Sequence, residues 1–347
     1  MYVIRPMELG DFEALVNFAF HGEEGMSSLP KNKEQLHQKL ESSLRAFAAN
    51  VERPVHELYY FALENAATKE VGGMCAISTK KGIEAPFYVF QLENIHKQSL
   101  KGIPEIKDVH TLKAVTFEDT PTELCTLFLE KKHRQAGIGR LLSLSRFLFM
   151  AAFPQRFDPE VFAEMRGYLD DQGISPFYEG VLHHFVNLDR GSLVKEMEKG
   201  FAFVPYILPD HHIYAELLPE SARVCIGKVH PNTVPALKML QEEGFQPIDK
   251  IDLVDGGIWI SAPLASVRAF RESRTATVGD IADTPLVGDD YLISNERLQN
   301  YRATLGKIAI HNSRTVSLDE NTANALNVLR GDQIRFVLLR PTRKEGE

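Results

Sequence analysis

At 347 residues, with 44% hydrophobic and 25% charged side chains, the chain has an ordinary globular composition and room for two or three domains. A formal net charge of −8 argues against a nucleic-acid binder, and the three cysteines (Cys75, Cys125, Cys225), far apart in apolar contexts, read as reduced core residues of a cytoplasmic protein. No apolar run reaches the roughly 18 residues of a membrane span, and the N-terminus "MYVIRPMELGDF" lacks a charged region followed by an apolar stretch, so neither signal peptide nor membrane span is expected.

In chain order, "YVIRPMELGDFEALVNFAF" reads as a short strand, a turn and a helix. Asp11 is the expected N-cap, and Phe12, Leu15, Val16 and Ala19 form an apolar stripe at helical spacing. "ELYYFALEN" followed by "ATKEVGGMCAIST" predicts a hairpin whose loop holds residues 65–69. "TELCTLFLE", residues 122–130, has a buried-strand pattern, and "RLLSLSRFLFMAAF" has helical spacing with no proline before Pro154. Between them stands "KKHRQAGIG". A strand that feeds a helix through glycines leaves unpaired N–H groups at the positive end of the helix, where anions bind. No Gly-Lys-Ser/Thr follows, which excludes a Walker loop, and "GIGRLL" ends in leucine where a dinucleotide fingerprint needs glycine. Further on, "VFAEMRGYL" is read as a strand, "SPFYEGVLHHF" as a short helix, and "FVNLD" as a candidate last strand.

The turn Arg134-Gln135-Ala136-Gly137-Ile138-Gly139 resembles the R/Q-x-x-G-x-G/A turn that cradles the coenzyme A pyrophosphate in the GNAT superfamily of N-acyltransferases. The element order β-α-(α)-β-β-β-α-β-α-β over residues 1–190 is similar to that fold, a mixed twisted α/β (α+β) sheet that binds acyl-CoA. Residues 191–260 form a second α/β segment, with a strand, a helix carrying Ala236, Leu237 and Leu240, then Gly244-Phe245 and another strand. It is either a degenerate second acyltransferase-like unit or a helix–strand pair extending the first sheet. Residues 261–347 read as a small β-rich C-terminal domain with strands bounded by Asn-Ser and Arg-Gly-Asp turns and a frayed end, "TRKEGE".

Several words together resemble the arginine N-succinyltransferases of bacterial arginine degradation. They are "VIRPMELGDF", "GMSSLPKN", "TELCTLFL", "SRFLFMAAF", "AEMRGYLDDQGISPF", "HHIYAELLPESARVCIGKVHPNTVPALKMLQEEGF" and "DLVDGG". The resemblance runs almost end to end. It implies succinyl-CoA as cosubstrate and L-arginine as acceptor, with succinyl transfer to the α-amine giving N2-succinylarginine and CoA. Ornithine or another amine as acceptor, or a non-catalytic paralogous subunit, are the alternatives it leaves open. It also implies a homodimer or an assembly with a paralogous subunit. By the same resemblance Leu127 contacts the acyl-CoA and His230 is the catalytic proton donor.

The chemistry gives the remaining candidates. Aminolysis of a thioester needs a free amine, a polarised carbonyl and a proton for the thiolate, whose thiol has a pKa of about 8.5. An exposed strand N–H near Leu127 would serve the carbonyl oxygen, and the amides from Gln135 to Arg140, with the Arg134 side chain, would hold the pyrophosphate. His230 suits proton transfer, because an unperturbed imidazole titrates near pH 6.5, and the plainer reading is that it caps the following helix. Tyr178, where the succinyltransferases tend to show tryptophan, is the rival acid and otherwise a packing residue. Arg166 is the candidate for the free carboxylate of the succinyl group, and Ser27 and Ser28 for the carboxylate of the amino acid. Glu23, Glu24, Glu123 and Glu164 are candidates for the acceptor's guanidinium. The pairs His183-His184 and His211-His212 lack a completing ligand pattern, so no metal is expected.

Overall fold

The computed structural model describes residues 1–21, 29–81, 86–95, 108–117, 119–197, 200, 202–208 and 211–341. Strand β1 (Tyr2–Pro6) and helix α1 (Phe12–His21) come first, followed by α2 (Lys33–Ala48). Asp11 does not cap by accepting from α1. It ends a short 3-10 turn, reaches back to the Glu8 N–H at 2.8 Å and takes both terminal nitrogens of Arg5 at 2.7 and 2.9 Å. A carboxylate offered a buried guanidinium six residues away is better satisfied there than by one amide. The hairpin β2 (Leu58–Asn65) and β3 (Val71–Ser78) pairs antiparallel through most of its length. Both strands are buried from end to end apart from their terminal residues, which is why they read as continuous apolar runs rather than alternating ones.

Next come β4 (Phe87–Ile95) and β5 (Val109–Phe117), an antiparallel pair that the sequence analysis did not separate from loop. Then β6 (Thr122–Leu129), α3 (Ile138–Ala152) and β7 (Glu160–Glu164) form a strand–helix–strand crossover whose two strands run parallel. Helix α3 is almost wholly buried, from Leu141 to Met150 without a break, and packs against the sheet as the spine of the main apolar cluster. Its one charged interior residue, Arg146, is 1% exposed and spends its guanidinium on the carbonyls of Ala76, Cys125 and Ser143 and the Ser143 hydroxyl. Burial lowers its pKa, and carbonyls rather than a carboxylate hold it in place.

After β7 the chain continues through α4 (Pro176–Gly180), α5 (Arg190–Met197), α6 (Val204–Ile207), β8 (Ile213–Tyr214), α7 (Glu220–Arg223) and α8 (Val234–Glu242). The expected strand "FVNLD" is a loop. Val186 and Leu188 pack into the cluster under α4, and the Leu188 carbonyl is taken by a tyrosine hydroxyl rather than by a neighbouring strand. The expected strand at "ARVCIGKV" is also mostly turn and helix, with a single bridge pairing Val229 to Gly167. Strands β9 (Gln246–Ile251) and β10 (Ile258–Pro263) join the same sheet beside β7, so the second α/β segment lies on the first sheet as its extension.

Helix α9 (Arg268–Glu272) leads to β11 (Arg274–Ala282), β12 (Tyr291–Asn295), β13 (Ala303–Gly306), β14 (Ile308–Ile310), β15 (Thr315–Asp319), α10 (Glu320–Leu326) and β16 (Gln333–Leu338). These strands hold their own apolar cluster around Val278, Val316 and Leu326. They join the rest at β13, which pairs with β1 through Val3–Thr304 and Ile4–Ala303. The order across the sheet is β14-β15-β11-β16-β12-β13-β1-β2-β3-β6-β7-β10-β9-β4-β5-β8. Two buried links fix the C-terminal strands to the helices. The Tyr301 hydroxyl donates to the Ser145 carbonyl at 2.7 Å, and Arg268, paired with Glu243 at 2.6 Å, donates to the Leu338 carbonyl at 2.9 Å.

Candidate active site

Strands β6 and β7 are matched only at Thr122–Val161 and Glu123–Phe162. Beyond that point β6 keeps its partner β3 on one side and has no strand pairing to β7 on the other, so its last residues present backbone groups to an opening. At the same place β6 carries a bulge. Thr126 and Leu127 together stand opposite Cys75, and Thr126 takes a left-handed φ of 51°. A β-branched residue held there costs about 1–3 kcal/mol. Such a bulge re-aims the backbone, and it falls where a strand N–H is wanted. Arg146 steadies it from beneath through its 3.4 Å bond to the Cys125 carbonyl.

The glycine turn follows at the carboxyl end of β6. Gly137 caps α3 with a φ of 86°, a conformation that costs glycine nothing. The Gln135 amide donates to the His133 carbonyl at 2.9 Å and the Ile138 amide to the Gln135 carbonyl at 3.2 Å, so neither is available to an anion. This narrows the expected set. The amides of Ala136, Gly137, Gly139 and Arg140 have no backbone acceptor among the described residues, as the first turn of a helix requires. A Cβ built on Gly139 would meet nothing within 4 Å, so the space beside that amide is open. The Arg134 side chain is exposed and its Nε donates to the Leu129 carbonyl at 3.1 Å. The Arg140 guanidinium is turned to Glu242 on α8.

Arg166 lies two residues past the end of β7, four residues beyond its last match with β6. Its carbonyl accepts the His230 N–H at 2.9 Å, and Gly167 bridges to Val229. These two contacts carry His230 to the end of β7, although 64 residues separate it from Arg166 in the chain. His230 is half-buried and caps the turn Pro231–Thr233, with its Nδ1 accepting from the Asn232 N–H at 3.1 Å. An imidazole whose Nδ1 accepts carries its proton on Nε2, so the cap itself leaves Nε2 as a donor. The words "EMRG" and "DLVDGG" are close-packed here. A Cβ on Gly257 would fall 1.9 Å from the Met165 carbonyl oxygen, so only glycine lets the two segments touch.

A buried charge cluster lies where β6 and β7 part. The Lys81 ammonium stands 2.5 Å from Glu123 and 3.5 Å from Glu164. Burial works against the Lys81 charge, but Glu123 and then Glu164 outweigh it and its pKa stands above the ordinary value. Burial pushes the Glu164 carboxyl up to about 8, and Asp255 likewise to about 8, with Asp252 adding to both. Burial also raises the Cys75 and Cys125 thiols to about 12, which leaves them poor nucleophiles.

The remaining expectations divide. Tyr178 is fully buried, and its hydroxyl donates to the Leu188 carbonyl at 2.7 Å, the surroundings of a packing residue. Ser27, Ser28, Glu23 and Glu24 lie outside the described residues. His183 lies 3.1 Å from Glu179 and His212 2.9 Å from Glu93, each a contact at the surface. Sequence reasoning missed Lys81, Asp252, Asp255 and Arg146. None carries a local signal, since each gains its meaning from a neighbour on a distant strand.

A mixed α/β sheet with a bulged, half-open parallel pair and an amide-lined helix start at its open end defines the class. The chain matches the family described as arginine N-succinyltransferase beta subunit over residues 2–269, and the C-terminal domain of the same subunit over residues 274–337. The arginine N-succinyltransferases of Salmonella paratyphi B and Salmonella typhimurium are each 36% identical over 342 residues, 98% of either chain. The solved structure of arginine/ornithine succinyltransferase subunit AI from Pseudomonas aeruginosa superposes with a TM-score of 0.87 at 31% identity, covering 98% of this chain and 99% of that one. The chain belongs to the arginine N-succinyltransferase family.

Proposed function

We propose that this protein transfers the succinyl group of succinyl-CoA to the α-amine of L-arginine, giving N2-succinylarginine and free CoA, the first step of arginine breakdown by succinylation. The observation that carries the reading is the end-to-end family match, and it is supported by His230 being held at the end of β7 through the Arg166 carbonyl and the Gly167–Val229 bridge.

The chemistry follows from the chain's own groups. The free amide N–H groups at the start of α3, those of Ala136, Gly137, Gly139 and Arg140, bind the pyrophosphate, with Arg134 adding charge. A strand N–H at the Thr126–Leu127 bulge bonds the thioester oxygen as the amine nitrogen attacks the carbonyl carbon. The carbon–sulfur bond then breaks, the Nε2 proton of His230 passes to the departing thiolate, and the proton shed by the attacking amine returns to the imidazole, which ends as it began. Arg166 takes the free carboxylate of the succinyl group. Glu123, which already holds one cation in Lys81, takes the acceptor's guanidinium.

A second reading has one observation in its favour. The Pseudomonas aeruginosa neighbour is described as a subunit of an arginine/ornithine enzyme, which supports ornithine as an acceptor and a multisubunit assembly, either with a paralogous chain or as a homodimer. Among the described residues no helix is long and apolar enough to cross a membrane, and the acidic net charge favours no nucleic-acid partner. The deciding experiment measures thiol release from succinyl- and acetyl-CoA against arginine, ornithine and lysine, with size determination by light scattering. Succinyl transfer to arginine is the expected result. Turnover confined to acetyl-CoA, or none with any amine, would overturn the reading.

A further inference from the structure

Outside the opening, the loop between β6 and the glycine turn contains an arrangement that the transfer chemistry does not use. His133 sits in a single 3-10 turn, Lys131–His133, and is 5% exposed. Its ring lies against Gly72, where a Cβ would fall 2.2 Å from the ring carbon Cδ2, so the absence of a side chain makes its seat. Its Nδ1 is 2.8 Å from the Tyr2 hydroxyl. Its Nε2 is buried, has no hydrogen-bond partner among the described residues, and faces two carboxylates, Glu70 Oε1 at 3.7 Å and Glu130 Oε2 at 3.8 Å. A buried imidazole nitrogen aimed at two carboxylate oxygens just beyond hydrogen-bond reach is not explained by packing, because a ring shifted by a few tenths of an ångström would bond one of them.

We propose that Glu70, Glu130 and His133 bind one divalent transition-metal ion of the zinc class. The separations suit ligands shared by one ion rather than bonded to each other. At metal–ligand distances of about 2.0–2.2 Å, tetrahedral neighbours lie about 3.3–3.6 Å apart, close to the spacing seen. One imidazole with two carboxylates favours zinc, cobalt or nickel over magnesium or calcium, which take oxygen alone. With the ion on Nε2 the ring carries its proton on Nδ1, 2.8 Å from the Tyr2 hydroxyl, which then accepts it; an outer partner of this kind is the usual companion of a ligating histidine. Water completes the coordination.

The other groups at the site are Lys132, whose ammonium is 2.5 Å from Glu70 and 3.1 Å from Glu130, and Asn17, whose amide donates to the second Glu130 oxygen at 3.3 Å. Lys132 is more than half exposed, so its ion pairs are weak and the ion displaces it into solvent. Two carboxylates neutralise the charge of the ion. The bound ion ties the β2–β3 hairpin, through Glu70, to the loop that delivers the glycine turn. The site stands whether or not the succinyl-transfer reading does, because no residue in it belongs to that chemistry.

The test uses the full chain freed of metal by chelation and titrated with Co2+. One equivalent should give the visible d–d absorption of a low-symmetry nitrogen–oxygen site, and Zn2+ should abolish it by competition. Glu70→Gln and Glu130→Gln lie on exposed or part-exposed positions and keep the fold, checked by circular dichroism. Each should weaken Co2+ affinity at least about tenfold, and Tyr2→Phe should weaken it about 10–100-fold as an outer partner. Lys132→Met should tighten binding by removing the competing cation, an effect that a purely structural cluster does not produce. No absorption at one equivalent, or the same absorption and affinity in both glutamine variants, would overturn the proposal; the second result would place the ion on surface histidines instead.

Discussion

The two sides of the β6–β7 opening are built in different ways. The side assigned to the acyl donor is one run of chain, from the bulge at Thr126 and Leu127 to the first turn of α3, and backbone amides supply its binding groups. The side assigned to proton transfer and the acceptor is gathered from five segments, with Lys81, Glu123, Glu164 to Gly167, Val229-His230 and the turn from Asp252 to Gly257 meeting at the ends of β6, β7 and β10. Backbone sites tolerate side-chain change, provided glycine stays where approach is close. Side-chain sites are set by each group's neighbours, so single substitutions there act on chemistry rather than on binding of the carrier.

The largest effect expected from this contrast is at His230. His230→Ala should lower kcat by about 10²–10⁴-fold while the Kd for the acyl donor stays within a few-fold. A matching loss of donor affinity would erase the division between the two sides. On the donor side, Gly139→Val fills the open space beside the free amide and should raise the donor KM by about 10–100-fold, the loss of one charge-assisted bond, with the arginine KM little changed. Equal effects on both substrates would make the turn a plain structural feature.

Donor choice tests whether the two sides meet. Succinyl-CoA should exceed acetyl-CoA in kcat/KM by more than about tenfold, and Arg166→Met should remove most of that preference without touching acetyl transfer. If the preference survives the substitution, the carboxylate is held elsewhere.

The smallest effect is on stability. Burial raises the Glu164 carboxyl to about 8 from an ordinary 4.5. Between those values the native protein retains a proton that the unfolded chain has released. Stability is therefore complete below the unfolded value and declines as pH rises toward 8. Glu164→Gln keeps the shape without the titration, so its Tm should fall less than the parent's between about pH 5 and pH 8. Parallel Tm profiles would mean that Glu164 does not titrate in that window.

What could be read in the sequence followed the same division. Contiguous features were visible: the strand–glycine–helix turn at residues 134–139, the β2–β3 hairpin and the buried helix α3, because each depends on local periodicity and on glycine's freedom. The readings that failed concern segments whose state is decided by partners. "FVNLD" has strand-like alternation, yet no edge is offered to it and Tyr178 takes its Leu188 carbonyl. Strands β4 and β5 pair mainly with each other, and apart from short contacts of β4 with β9 and of β5 with β8 they meet no other strand, so their pattern carries no mark of a partner.

The sequence by itself determined the reaction family and the glycine turn that opens α3, and it singled out His230 as the proton-donor candidate, since family words and glycine spacing are properties of consecutive residues. Only the tertiary structure decided that Gln135's amide is already taken, that Tyr178 is a packing residue, that Lys81 stands between Glu123 and Glu164, and that His133 faces Glu70 and Glu130. The physical reason is that hydrogen-bond occupancy and charge environment belong to pairs of groups. Those pairs form when strands distant in the chain become neighbours in one sheet.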